Sequence, residues 1–212
     1  MLFIISFVCL ACILYFSFDK QTLAMLITQK QKQHLFFGYT ALLFFLWSIQ
    51  TSVYPGLNVH FLWITACTLY LGPRLAIFSG LLALAGNFFY LGEPWHWFAI
   101  HYISGVFVPV MVSYLVYVWS FHKLPRHFFI YIFVCGFFAG ALSIGAKMLA
   151  MSIFYAGSGL YSWQILFDNY LILLVLLAFP EAMLNGMSMS IGITYLPNWV
   201  RTFYDDEYLD KK

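Results

Sequence analysis

The chain has 212 residues, of which 63% are hydrophobic and only 8% are charged. A soluble globular domain carries about 25% charged residues, so a water-soluble core of this composition would lack the polar residues needed to coat it. The net charge of +2 is too small for a nucleic-acid-binding surface. These properties predict an all-α, polytopic helical membrane protein whose surroundings are the lipid bilayer, with no nucleic acid among its partners.

Apolar runs separated by turn signals follow one another along the whole chain. Uninterrupted runs such as Leu171 to Leu177 lack the period-two alternation of barrel strands. A helix needs about 20 apolar residues to cross the hydrocarbon core. We therefore predict a single transmembrane domain, residues 1–212, with about seven transmembrane helices. The predicted spans are Met1–Phe18, His34–Ser52, Val59–Leu71, Leu75–Leu91, Ala99–Trp119, Phe128–Tyr155 and Asp168–Tyr195.

The third predicted span is shorter than the others and belongs to an apolar hairpin, residues 55–88. A tight turn at residues 72–74 separates the two runs of this hairpin, and the first run begins with the polar residues Asn58 and His60. The sequence thus brings an amide and an imidazole to the leading end of a short apolar segment. We expect the rest of the chain to be arranged around this hairpin.

Two polar stretches lie outside the predicted spans. Residues 19–33 are rich in glutamine and lysine and are predicted to form a cytoplasmic loop or a short interfacial helix. Residues 197–212 form a charged tail that is predicted to be cytoplasmic. Within this tail, Asp205, Asp206 and Glu207 are candidates for docking a partner protein.

The basic residues predict the orientation of the chain. If the segment after the first span is cytoplasmic, nine of the ten basic residues lie on the cytoplasmic side, and the tenth, Lys147, lies within a span. The positive-inside rule then predicts an external N-terminus, a cytoplasmic C-terminus and a multi-pass protein of the cytoplasmic (inner) membrane. The nine residues are Lys20, Lys30, Lys32, Arg74, Lys123, Arg126, Arg201, Lys211 and Lys212.

Polar residues gather at the predicted outer ends of the spans. Asn58 and His60 begin the third span, and His96 and His101 lie at the start of the fifth. Histidine is the commonest metal ligand, and amides can add oxygen ligands. These residue types make a metal site one hypothesis; the alternative is that each histidine is a hydrogen-bonded structural residue, with His96 an interfacial anchor between two tryptophans.

Two ionisable residues, Lys147 and Glu181, lie within predicted spans. Such residues are costly in hydrocarbon and usually face the interior of a helix bundle. Antiparallel neighbouring helices would bring the two together, and pairing avoids leaving one buried charge alone. We predict an intramembrane charge pair, acting either as a structural clamp or as a group that moves with cargo.

Motifs that carry enzymatic chemistry are missing from the sequence. It contains no nucleophile paired with a base, no HExxH and no phosphate-binding loop, so we predict no catalytic residue and no ATP hydrolysis by this chain itself. An active transport function would therefore depend on separate ATPase subunits.

Two internal segments and the tail resemble a known family. The segments are LNVHFLWITACTLYLGPRLAIFSGLLAL, residues 57–84, and FPEAMLNGM, residues 179–187. Both are similar to segments of the CbiM-type permeases, the cobalt/nickel substrate-binding components of energy-coupling-factor transporters. The tail, including TFYDDEYL at residues 202–209, resembles the ending of a bacterial branch of that family. The resemblance covers roughly residues 55–209.

The resemblance implies a permease or substrate-capture function with a divalent transition metal ion, Co²⁺ or Ni²⁺, as cargo. It also implies a transmembrane coupling subunit and ATPase subunits as partners. His60 matches the position that supplies an imidazole in metal-binding members, and Glu181 matches the glutamate of the last helix. Together with the polar cluster described above, this makes His60, Asn58 and His101 the predicted metal ligands.

The N-terminus departs from the family pattern. Metal-binding members begin Met-His-Ile-Pro and use their amino terminus and second-position histidine as ligands, whereas this chain begins Met1-Leu2-Phe3-Ile4. His101 or His96 would have to substitute for the missing imidazole. The alternative function is a membrane assembly or structural subunit that keeps the fold but has lost the metal site.

Overall fold

Helices dominate the structure, a computed structural model that describes residues 2–204 and 208. A small antiparallel hairpin pairs β1 (Thr51–Ser52) with β2 (Asn58–Val59). A 3₁₀ turn, Pro197–Trp199, follows the last helix. The helices are α1 (Leu2–Ser17), α2 (Lys20–Thr28), α3 (Lys30–Ser48), α4 (Ile64–Leu71), α5 (Pro73–Leu91), α6 (Trp95–Lys123), α7 (Phe128–Gly157) and α8 (Trp163–Tyr195).

The four helices α5 to α8, of 19 to 33 residues, are long and apolar enough to cross a membrane. A fifth span is added if α1 and α2, which meet at an angle of 67°, are counted together. These helices confirm the predicted all-α, polytopic membrane fold. The observed helices α5 and α7 begin within two residues of the predicted spans that start at Leu75 and Phe128.

Two elements explain why the described helices do not reproduce seven spans. Helix α3 has 19 residues, but its first turn is polar, so its apolar part is shorter. Helix α4 has eight residues and is about 12 Å long, less than half of the roughly 30 Å hydrocarbon core. The predicted third span, Val59–Leu71, is helical only from Ile64 onward. Seven crossings and their orientation stay predictions.

Helix α4 lies at the centre of the molecule. All eight of its residues are buried, and it contacts α3, α5, α6, α7 and α8. The Thr65 hydroxyl lies 2.7 Å from that of Ser113 on α6 and donates to that of Ser143 on α7 at 3.0 Å. Such polar side chains join helices within a membrane. The core therefore fixes the position of α4 and of the chain that leads into it.

Helices α7 and α8 approach each other closely at small residues. A methyl group added at Gly136 would lie 3.2 Å from the Cα of Gly186, and one added at Gly140 would lie 3.1 Å from Asn185. Glycines that permit such close backbone contact are typical of packed transmembrane helices. This contact helps to set the position of the α8 face that carries Asn185.

The C-terminal end of α4 is closed by residues that follow α8. The Arg201 amide donates to the carbonyl of Tyr70 at 3.2 Å, and its guanidinium donates to that of Leu71 at 3.2 Å. The Thr202 hydroxyl donates to the carbonyl of Leu69 at 2.8 Å. Helix ends leave such carbonyls without partners inside the helix. Residues 201 and 202 therefore satisfy the end of α4 that points towards Arg74.

Candidate functional site

The chain that leads into α4 is not helical, and we call residues 58–63 the site loop. Asn58 and Leu62 are buried. Non-helical backbone at membrane depth is tolerated only where it is buried in protein or lines a cavity, because its peptide groups need partners. The hairpin supplies some of them by pairing Val59 with Thr51. Side chains from α3, α7 and α8 supply further partners.

Glu181 on α8 binds the peptide groups at the start of α4. Its carboxylate accepts from the Leu62 amide at 2.8 Å and from the Trp63 amide at 2.7 Å. One turn further, the Asn185 side chain accepts from the Ala66 amide at 2.8 Å and donates to Glu181 at 2.7 Å. A negative charge at a helix N-terminus is stabilised by the helix dipole and the free amides. Glu181 and Asn185 therefore act together as a cap supplied by another helix.

Trp63 sits between the site loop and α4 in a strained conformation. Its φ of 49° lies in the left-handed region, where a bulky residue is an outlier. Its indole N–H donates to the Ser188 hydroxyl at 2.7 Å, and the Trp47 indole donates to the carbonyl of Leu62 at 3.0 Å. Strain of this kind persists only where neighbours enforce it, and it is concentrated at functional sites.

Lys147 on α7 binds the opposite end of the site loop. Its ammonium donates to the carbonyl of Asn58 at 2.6 Å. Lys147 and Glu181 lie within electrostatic range of each other, and their predicted pairing stays a prediction. The direct ion pair among the described residues is Arg74 with Asp19 at 2.5 Å. The buried lysine and the buried glutamate each bind loop backbone. Together they hold the two ends of the segment that carries His60.

The two half-buried imidazoles of the region, His60 and His101, are electrostatic neighbours. The Nδ1 of His60 lies 3.0 Å from the carbonyl of Phe61. Because a carbonyl only accepts, Nδ1 carries the proton and Nε2 keeps its lone pair. His101 packs against the Phe88 ring at a centroid distance of 5.5 Å. The Lys147 ammonium lies within electrostatic range of both imidazoles.

The other predicted ligands lie in different surroundings. His96 is exposed and packs against Phe3 and Trp97 at centroid distances of 5.3 and 5.2 Å, as the interfacial-anchor alternative expects. The Asn58 side-chain oxygen accepts from the Ser52 hydroxyl at 2.5 Å. Among residues 2–204 and 208, no group of three histidine, cysteine, aspartate or glutamate side chains is placed to hold a metal ion. The metal site at His60, Asn58 and His101 stays a prediction.

The predicted docking residues Asp205, Asp206 and Glu207 lie outside the described residues.

Comparison with known proteins gives one match. The model of the family described as the cobalt uptake substrate-specific transmembrane region, CbiM, matches residues 2–199. The chain belongs to the CbiM family. This confirms the resemblance found in the sequence and makes the chain a membrane component of a metal-transport family. No curated protein and no solved structure matched the chain.

This CbiM-family chain also buries hydroxyl groups that sequence reasoning missed. The hydroxyls of Ser152, Tyr155 and Tyr170 are buried and have no hydrogen-bond partner in the described part of the chain. Lys147 lies above the ring of Tyr170, with 5.8 Å between its ammonium and the ring centroid. A buried hydroxyl without a partner costs about 1–3 kcal/mol. No sequence pattern identifies these residues, because Tyr155 and Tyr170 come from different helices.

Proposed function

We propose that this chain is the substrate-capture permease of an energy-coupling-factor-like transporter, with Co²⁺ or Ni²⁺ as its cargo. The observation that carries the proposal is the geometry of His60 in a cobalt-uptake family member. The imidazole lies on a loop held at one end by Lys147 and at the other by Glu181. Its Nδ1 makes the hydrogen bond to the Phe61 carbonyl, so the lone pair of Nε2 remains available. A pre-positioned imidazole with an available nitrogen suits capture of a transition metal ion.

The proposed orientation follows the basic residues. With the N-terminus outside and the C-terminus in the cytoplasm of a seven-span protein, Arg74 faces the cytoplasm and the site loop opens towards the outer side of the inner membrane. Helix α4 supports this arrangement because its C-terminal end adjoins Arg74 and its N-terminal end carries the site loop. Cargo would then enter from outside, as uptake requires.

Energy for release would come from other subunits. The chain has no phosphate-binding loop, so we propose a transmembrane coupling subunit and ATPase subunits as partners. The acidic residues Asp205, Asp206 and Glu207 of the tail are the proposed docking point. Charged residues at the rim of an interface act mainly on association rate and partner choice.

The test is the metal content of the purified protein after growth with cobalt or nickel. We expect the wild-type protein to retain metal and His60→Ala to lose it, because the substitution removes the imidazole and leaves the loop backbone contacts in place. His96→Ala is the matched control, since its imidazole is exposed and packs on aromatic rings. Equal metal content in wild type and His60→Ala would refute the proposed site.

A second function, a membrane assembly subunit without a metal site, is favoured by one observation. The Lys147 ammonium lies within electrostatic range of both imidazoles, and a positive charge there opposes a bare divalent cation. Purification of the intact membrane complex through the tail separates the two functions. Recovery of transporter ATPases supports capture, whereas recovery of a respiratory or metallocentre-assembly complex without them supports the second function.

A further inference from the structure

Lys147 lies within electrostatic range of the imidazoles of His60 and His101. We group it with two tyrosines that lie near it or near each other, and we call the three hydrogen-bond donors the donor group: Lys147, Tyr155 and Tyr170. All three side chains are buried. Lys147 faces the ring of Tyr170, and Tyr155 and Tyr170 lie within electrostatic range of each other. The donor group therefore gathers a positive charge and two hydroxyls from α7 and α8 in one buried place.

Several hydrogen-bond donors of this group have no acceptor among the described residues. Lysine has three protons to donate, and the described contacts of Lys147 include one hydrogen bond, to the carbonyl of Asn58. The hydroxyls of Tyr155 and Tyr170 have no partner among residues 2–204 and 208. Buried polar groups in native proteins are nearly always paired. The group is thus short of acceptors.

The charge of Lys147 is not neutralised by direct contact with Glu181. Both oxygens of that carboxylate accept hydrogen bonds from the amides of Leu62 and Trp63, and Asn185 adds a third. Lys147 therefore interacts with Glu181 through space only, and its charge also acts on both imidazoles. A bare divalent ion on His60 would meet this positive charge in a low-dielectric interior, where repulsion is strong.

We infer that the donor group binds a carboxylate, so that the site captures a transition metal ion together with a small carboxylate ligand. This inference rests on the proposed function and specifies its cargo. A carboxylate offers about four lone pairs, which would accept from Lys147, Tyr155 and Tyr170. Its negative charge would attract both the Lys147 ammonium and the metal ion, and this would offset the repulsion between those two positive charges. His60 would bind the metal through Nε2.

The test is equilibrium dialysis of the purified full chain with labelled Ni²⁺ and separately labelled oxalate, the simplest dicarboxylate. We expect wild-type protein to retain both labels in equal molar amounts. Ni²⁺ alone should bind at least about tenfold more weakly, the effect of one charge-assisted hydrogen bond. Oxalate alone should bind weakly as well, because it lacks the bond to the histidine.

Two variants separate the inference from a folding defect. Tyr170→Phe removes only an unpartnered hydroxyl, so it should fold normally and lower oxalate retention about tenfold. Lys147→Met should abolish the dependence of Ni²⁺ binding on oxalate. Tyr195→Phe is the matched control, because Tyr195 is largely exposed and should leave both labels unchanged.

The outcomes distinguish the two proposals. Ni²⁺ retention that is equal with and without oxalate, yet lost in His60→Ala, overturns the carboxylate inference and supports the capture function. Retention of oxalate that survives both Tyr170→Phe and Lys147→Met also overturns the inference. Wild-type protein that retains neither label under any condition overturns the capture function and the inference together.

Discussion

The two ends of α4 are closed by different means. At the N-terminal end, Glu181 and Asn185 bind backbone amides. At the C-terminal end, Arg201 and Thr202 bind backbone carbonyls. Both caps come from the C-terminal part of the chain, more than 100 residues away in sequence. Helix α4 is therefore a short helix that depends on remote residues at each end.

The two caps differ in how exposed their side chains are to solvent. The side chains of Glu181 and Asn185 are fully buried, whereas Arg201 is exposed. A hydrogen bond in a low-dielectric interior is stronger, and the loss of one partner there is more costly. The end of α4 that adjoins the site loop is thus held by buried side chains throughout, whereas at the end near Arg74 water can replace the contacts of the exposed Arg201 but not those of the buried Thr202.

The largest expected effect comes from breaking the buried cap. Glu181→Ala leaves the amides of Leu62 and Trp63 without partners in the interior. At about 1–3 kcal/mol for each buried donor, we expect it to lower the free energy of unfolding by about 2–6 kcal/mol. Thermal unfolding of the detergent-solubilised protein measures this loss. Glu181→Gln is the matched control, since its amide oxygen can still accept from one of the two amides, and it should lose less.

This prediction also tests the importance of the cap for the site. If Glu181→Ala unfolds at the same temperature as the wild type, the amides find other partners and the cap is not what holds the site loop. The comparison between the two ends of α4 would then fail.

A smaller effect is expected at the other end. Thr202→Val preserves the shape of the side chain but removes its hydrogen bond to the buried carbonyl of Leu69, which should cost about 1–3 kcal/mol. Tyr131→Phe removes only the contact between the hydroxyls of Tyr131 and Thr202, so it separates that contact from the cap. A loss for Thr202→Val as large as that for Glu181→Ala would show that the two ends are equally rigid.

The sequence predicts those parts of the fold that depend on local signals. Apolar length and the turn at residues 72–74 are enough to place α5, and the charges at residues 122–127 mark the break before α7. Helix α4 could not be delimited in this way. The strand at Asn58–Val59 and the left-handed Trp63 precede it. The strand pairs locally with Thr51–Ser52, but Trp63 depends on Glu181 and Ser188, which lie far along the chain.

The candidate site shows a similar division. His60 stands out in the sequence because an imidazole is rare beside an apolar run, and Lys147 and Glu181 stand out because they are charged. Their pairing with each other stays a prediction. A buried carboxylate is also stabilised by backbone amides, and the sequence does not reveal that the amides of Leu62 and Trp63 bind Glu181. Tyr155 and Tyr170 were missed because tyrosine is common in this chain, with 15 residues.

The smallest expected effect concerns the exposed ion pair between Asp19 and Arg74, which joins the start of α2 to the start of α5. Asp19→Asn removes the charge but keeps an N-cap residue of equal quality, so the unfolding temperature should fall less than in Thr202→Val.

Salt screens exposed charges strongly and buried ones weakly. At about 1 M salt, where the Debye length is about 3 Å, the difference between wild type and Asp19→Asn should vanish, while that between wild type and Glu181→Gln should persist. If added salt removes both differences, the Glu181 cap is as open to solvent as the Asp19 ion pair, and the contrast between the two regions is lost.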